Sequence, residues 1–104
     1  MKAENPVKLL LAYDIRPEVA ESYYSFVTGE FVPQVNAMGL ELAEVWDTVY
    51  GPYPRRLIVF LAADKETANE AMGSDRFKRM ERKLQRYVQN YTCRIVKYKP
   101  HFQF

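Results

Sequence analysis

Phenols, guanidinium groups and a single indole make up most of the chemistry this chain can offer. Tyr13, Asp14 and Arg16 stand close together near the start, and Tyr23 and Tyr24 follow. Glu44, Trp46 and Tyr50 recur at even positions, and Arg55 and Arg56 come soon after. A phenol or a guanidinium beside a substrate enolate stabilises developing negative charge. Aromatic rings with a few polar groups among them line sites for flat organic ligands. Tyr13, Tyr23, Trp46, Tyr50, Arg55 and His101 are therefore the candidate ligand-pocket residues. No spacing among them assigns a catalytic role, and the plainer expectation for Trp46 and Tyr50 is packing in a core or an interface.

Other chemistries are poorly supplied. His101 is the sole histidine, so a multi-histidine metal site is excluded, and Lys97, Lys99 and Pro100 near it offer no ligands. Cys93 is the sole cysteine, which excludes an internal disulfide and a zinc knuckle. Arg94 beside it would favour a thiolate, but a buried structural cysteine is the expectation. No two glycines are close enough for a phosphate loop or a dinucleotide fingerprint. No metal and no cofactor is expected.

The chain has 104 residues, 48% of them hydrophobic and 27% charged, as in an ordinary globular domain. One domain over 1–104 is expected. No apolar run approaches the length of a membrane span, and the first residues lack a secretory pattern, so a cytoplasmic protein is expected. The net charge is +2. Residues 1–75 hold six Lys/Arg and twelve Asp/Glu, whereas residues 76–104 hold nine Lys/Arg and one acid, Glu81. Such asymmetry suits either a polyanion or a solvated helix face, and the second is the simpler expectation.

The elements that position these residues follow from hydrophobic spacing. Val7 to Tyr13 is apolar at nearly every residue and reads as a buried strand. Pro17 opens a helix, and apolar residues at 20, 23, 27, 31, 35 and 38 mark one face of it. Gly29 and Pro33 predict a kink or break between them, and Gly39 predicts a cap. Leu40 to Tyr50 is a second strand. Simple alternation puts Leu40, Leu42, Glu44, Trp46, Thr48 and Tyr50 on one face, where the aromatics can line a cleft between helix and sheet. Gly51 to Pro54 is a turn, and Arg56 to Ala63 is a third strand, antiparallel to the second. Asp64 caps the next helix. Gly73-Ser74 interrupts it, and Ser74 caps a further segment with apolar residues at 77, 80, 84, 87, 88 and 91. Thr92 to Tyr98 is the last strand. The aromatic tail His101 to Phe104 is expected to dock on something.

The order is β-α-β-β-α-β, an α+β, ferredoxin-like fold with a four-stranded antiparallel sheet and two helices on one face. Leu57, Val59 and Leu61 alternate with Ile58 and Phe60, so both sheet faces are apolar. A monomer would leave one face wet. A homodimer through that face is the expected remedy. RNA-recognition motifs share the order, but Arg56-Leu-Ile-Val-Phe-Leu lacks their glycines and most of their aromatics, so nucleic acid is not expected.

Three stretches carry a resemblance. They are the kinked helix ending Pro33-Gln-Val-Asn-Ala-Met-Gly39, the strand with Glu44-Val-Trp46-Asp-Thr48 before Gly51, and the helix opening Ser74-Asp75-Arg76-Phe77. From Val7 to Tyr98 the chain resembles the dimeric α+β barrel superfamily, most of all NIPSNAP-type proteins and antibiotic-biosynthesis-monooxygenase-like domains. The resemblance implies a homodimer and a small apolar or aromatic molecule bound between helices and sheet. An alternative it offers is a cofactor-independent monooxygenase or isomerase, with Tyr23 and Trp46 shaping the pocket and Arg55 or His101 near its mouth. A second is a non-enzymatic structural or regulatory dimer. Haem-degrading relatives place a histidine on the second helix, where this chain has none, which counts against haem chemistry. Fold alone does not choose among the rest.

Overall fold

The computed structural model describes residues 5–50 and 53–98, with the backbone alone at 49, 50, 53 and 54. Four strands, β1 (Val7–Ile15), β2 (Glu41–Tyr50), β3 (Tyr53–Ala62) and β4 (Val88–Lys97), form one sheet in the order β2-β3-β1-β4. Every neighbouring pair is antiparallel. The helices α1 (Ala20–Phe26), α2 (Val32–Ala37), α3 (Lys65–Gly73) and α4 (Asp75–Leu84) connect the strands.

Alternation along β1 sorts the two faces. Val7, Leu9, Leu11, Tyr13 and Ile15 are buried, and the residues between them are half-buried. The buried set packs with Tyr23, Phe26, Val27, Phe31 and Val35 from the first helical segment and with Phe77, Met80 and Leu84 from α4. Ile58, Phe60 and Ala62 of β3 stand opposite Leu11, Leu9 and Val7, on this same helix-covered face. Phe60→Ala here would cost about 3–5 kcal/mol by the usual size of such cavities.

Between Gly29 and Pro33, where a kink or break is expected, the first helical segment is irregular but does not break. Val27–Phe31 forms a π-helical turn that leads directly into α2. Pro33 has no N–H, and its ring crowds the carbonyl four residues back. One wider turn absorbs this, and the Val32 N–H donates to the Val27 carbonyl five residues back. The chain then reverses at Gly39, whose φ of 94° is in the left-handed region.

Two strand boundaries also differ from expectation. Helical spacing runs on to Tyr91, yet α4 ends at Leu84 and β4 begins at Val88, opposite Ile15. Apolar spacing of three and four residues bridges the helix end and the strand start, and hides the boundary. Pairing of β1 with β4 shifts between Ala12 and Asp14, and Asn90 sits there with φ 57°. Strand β3 already starts at Tyr53, inside the expected turn, and Gly51 and Pro52 lie outside the described residues.

Ser74 joins α3 to α4. Its hydroxyl oxygen accepts from the Phe77 N–H at 3.1 Å, and the hydroxyl donates to the Ala71 carbonyl at 2.7 Å. Removing it leaves an orphan donor at the start of α4. We expect Ser74→Ala to lower stability by about 1 kcal/mol in urea unfolding. No change would show that α4 does not depend on this cap.

Candidate functional site

One row of the sheet gathers most of the polar chemistry beneath the helices. Asp47 of β2 stands opposite Arg56 of β3, and Arg56 stands opposite Tyr13 of β1. Tyr23 reaches this row from α1. The Tyr13 and Tyr23 hydroxyls share a hydrogen bond of 2.6 Å, and both rings are fully buried. The Arg56 Nε and Nη2 donate to the two Asp47 carboxylate oxygens at 2.7 and 2.8 Å. Its Nη1 donates to the Tyr23 hydroxyl at 3.4 Å. The same guanidinium lies 5.1 Å from the centroid of the exposed Tyr24 ring, within cation–π range.

Electrostatics in this row follow from burial and pairing. Burial pushes the Tyr13 phenol far above its ordinary value, with the Tyr23 phenol adding to the effect. Burial also raises Tyr23, against the pull of the Tyr13 hydrogen bond and the Arg56 charge. Both phenols are therefore neutral donors at ordinary pH. Hydrogen bonding to Asp47 holds the Arg56 proton more firmly, and Arg56 in turn lowers the Asp47 carboxyl. Such a set can offer hydrogen bonds to an anion but neither gives up a proton readily nor holds a free base.

A second cluster lies beside it. The Tyr91 ring stacks on Tyr13 with centroids 6.4 Å apart, and its hydroxyl donates to Glu81 at 2.6 Å. Cys93 is half-buried on the same face, opposite Leu11. Burial pushes its thiol up to about 11, so it is no activated thiolate, and Arg94 turns to the other face, opposite Leu10.

The sheet itself separates the candidate pocket residues. Tyr13 and Tyr23 meet under the helices. Trp46 and Arg55 lie on the opposite, open face. A bulge in β2 is the reason: Leu42 pairs with Phe60, but Glu44 pairs with the adjacent Val59. The extra residue reverses the parity, so Leu40 and Leu42 face the helices whereas Glu44, Trp46 and Thr48 face away. The cleft expected between helix and Trp46 therefore does not form. Trp46 is 59% exposed, and its indole N–H donates to Glu44 at 2.7 Å. Arg55 donates to Asp14 at 2.9 Å, and Asn90 donates to the other Asp14 oxygen at 2.7 Å. Asn90 first and then Arg55 lower the Asp14 carboxyl. The Tyr50 side chain and His101 lie outside the described residues.

Over β1 and β3 the space between helices and sheet is filled, whereas Leu42 and Val45 of β2 on the same face are exposed. Tyr13, Tyr23, Phe31 and Phe60 are each 0% exposed. Every buried side-chain polar atom among the described residues has a hydrogen-bond partner. A groove of ≈ 510 Å³ lies elsewhere, where Pro6 and Val7 meet Ile95 and Tyr98. Another of ≈ 600 Å³ is open on the outside of α1, between Ser25 and Tyr87. Among the described residues no group of three or more His, Cys, Asp or Glu can hold a metal ion, and no helix is long and apolar enough to cross a membrane.

Asp47, Glu81 and Tyr91 were not candidates from the sequence. Asp47 and Arg56 become visible as partners only once the hairpin register is fixed, since each is then the other's cross-strand neighbour.

No family model matches this chain, and no curated protein matches it. Solved structures do. A NIPSNAP family protein from Agrobacterium tumefaciens superposes with a TM-score of 0.69 at 16% identity, over 90% of this chain and 86% of that one. An uncharacterised NIPSNAP-like domain protein from Burkholderia xenovorans gives 0.68 at 16% identity, over 94% and 88%. An antibiotic biosynthesis monooxygenase-like protein from Bacteroides thetaiotaomicron gives 0.62 at 19% identity, over 94% and 91%. The chain thus has the ferredoxin-like α+β fold of the NIPSNAP and antibiotic-biosynthesis-monooxygenase-like structures. Its likeness to them is one of fold.

The Asp47–Arg56 pair has a pH signature. A carboxyl lowered in the folded state contributes stability above its unfolded value, about 3.9, and loses it as pH falls through the lower folded value. Asp47→Asn is therefore expected to unfold at lower urea than the wild type at pH 7, with the gap closing below about pH 4. A gap of equal size at pH 7 and pH 2.5 would contradict the pairing.

Proposed function

We propose that the chain works as a homodimer joined through its open sheet face, and that this assembly is a structural or regulatory module. One observation carries it: over β1 and β3 the helix-covered interior is packed, while the opposite face leaves most of its apolar side chains half-buried, Val59 being the buried exception. Leu10 and Ala12 of β1, Leu57 and Leu61 of β3 and Val96 of β4 are only half-buried there, beside the exposed Trp46. Four strands about 4.8 Å apart, at about 3.3 Å per residue, span a plane of roughly 500–600 Å². With its side-chain relief this approaches the about 800 Å² per partner of a standard interface. Burying apolar surface at about 25 cal/mol per Å² makes closure favourable.

A second reading rests on the Tyr13–Tyr23–Arg56 set under the exposed Tyr24. Two neutral phenols and a guanidinium suit a small aromatic substrate that passes through an enolate or phenolate, as in a cofactor-independent oxygenase or isomerase. Tyr24 would have to move to admit it.

Native mass spectrometry of the intact chain separates the two. A bare dimer supports the module, and a dimer carrying a small bound mass supports the second reading. A monomer would contradict the dimer. Leu57→Glu places a carboxylate in the centre of the open face and is expected to yield a folded monomer with an unchanged far-UV spectrum. A dimer that persists in Leu57→Glu would move the interface elsewhere.

A further inference from the structure

The open face is organised in rows that cross all four strands. Glu44 stands opposite Val59, Val59 opposite Leu10, and Leu10 opposite Arg94. The next row runs Trp46, Leu57, Ala12, Thr92, and the one beyond begins Thr48, Arg55, Asp14. Strands β2 and β4 are the two edges. The first row therefore carries an acid at one edge and a base at the other, with apolar residues between. Arg94 is exposed and has no ion-pair partner among the described residues.

Two-fold symmetry turns this row into a matching rule. An axis parallel to the strands, above the seam between β1 and β3, exchanges β2 with β4 and β3 with β1 while keeping each row at its own level. It sets Glu44 over Arg94 of the second copy, twice. It also sets Leu57 over Ala12 of the second copy, large against small. Each Arg55–Asp14 pair meets its copy with opposite charges facing. An axis across the strands does the reverse, laying the Glu44 edge on itself and the Arg94 edge on itself. Packed sheets stand about 10 Å apart and about 30° from alignment, a gap that long Glu and Arg side chains at the edges can span.

We infer that the dimer axis runs parallel to the strands and that reciprocal Glu44–Arg94 pairs across the interface fix its register. This rests on the homodimer reading above. Charge placed this way selects one docking orientation more than it adds affinity. Within the chain Glu44 already receives the Trp46 indole N–H at 2.7 Å, and Lys8 lies 3.8 Å away. Its carboxylate is thus held on the open face.

The test is sedimentation equilibrium of the full chain with Glu44→Arg, Arg94→Glu and the double variant. Each single variant is expected to weaken the dimer by about tenfold or more. The double variant is expected to return close to the wild-type dissociation constant. An equimolar mixture of the two single variants is expected to associate more tightly than either alone. If Glu44→Arg disturbs the chain by losing its Lys8 and Trp46 contacts, the pairing is read from Arg94 alone: Arg94→Lys keeps the dimer and Arg94→Glu weakens it. Single variants that dimerise as tightly as the wild type, or a double variant weaker than both, would overturn the pairing and leave the dimer standing. A monomeric wild type would overturn the dimer as well.

Discussion

A sheet has two faces, and this chain has helices for one of them. Everything else in the molecule follows from how its side chains are divided between those faces. The helix-covered side takes Leu9, Leu11, Tyr13, Ile58 and Phe60, which with Phe31 and Phe77 belong to one buried core. The other side keeps a row of apolar side chains between Glu44 and Arg94 at its edges, with Lys8 and the Arg55–Asp14 pair on its central strands. One extra residue in β2 decides the division, because the bulge turns Glu44 and Trp46 outward while Leu42 stays inward. Without it the indole would stand on the helix side of the sheet and the acid row of the open face would not exist.

That division also explains why the interior is full. Tyr13 and Tyr23 satisfy one another, and Arg56 is held by Asp47 in a bidentate geometry that is stronger than a simple surface pair. A polar set so completely paired is a structural fixture first. It becomes chemistry only if a ligand can displace one of its contacts, and the exposed Tyr24 is the side chain placed to give way.

Much of the fold was legible from residue spacing. The buried run of Val7 to Tyr13, the helix opening at Pro17 and the caps at Asp64 and Ser74 all stand where local rules put them. The misses have physical causes. A bulge leaves no mark in a sequence that still alternates, so Leu40, Leu42, Glu44 and Trp46 look like one face. Pro33 signals a disturbance but not whether the helix breaks or widens. Tyr87, Val88 and Tyr91 keep helical spacing although β4 has begun. The site was less legible than the fold, since Asp47, Arg56 and Tyr13 come together through cross-strand register, which depends on pairing between distant parts of the chain.

Trp46 is the one tryptophan in the chain and lies on the face in question, so its fluorescence reports directly on whether that face is covered. Measured across a dilution series, the emission maximum is expected to lie at shorter wavelength in concentrated protein and to move to longer wavelength as the dimer dissociates. An emission maximum typical of a water-exposed indole at every concentration would contradict an interface on this sheet face.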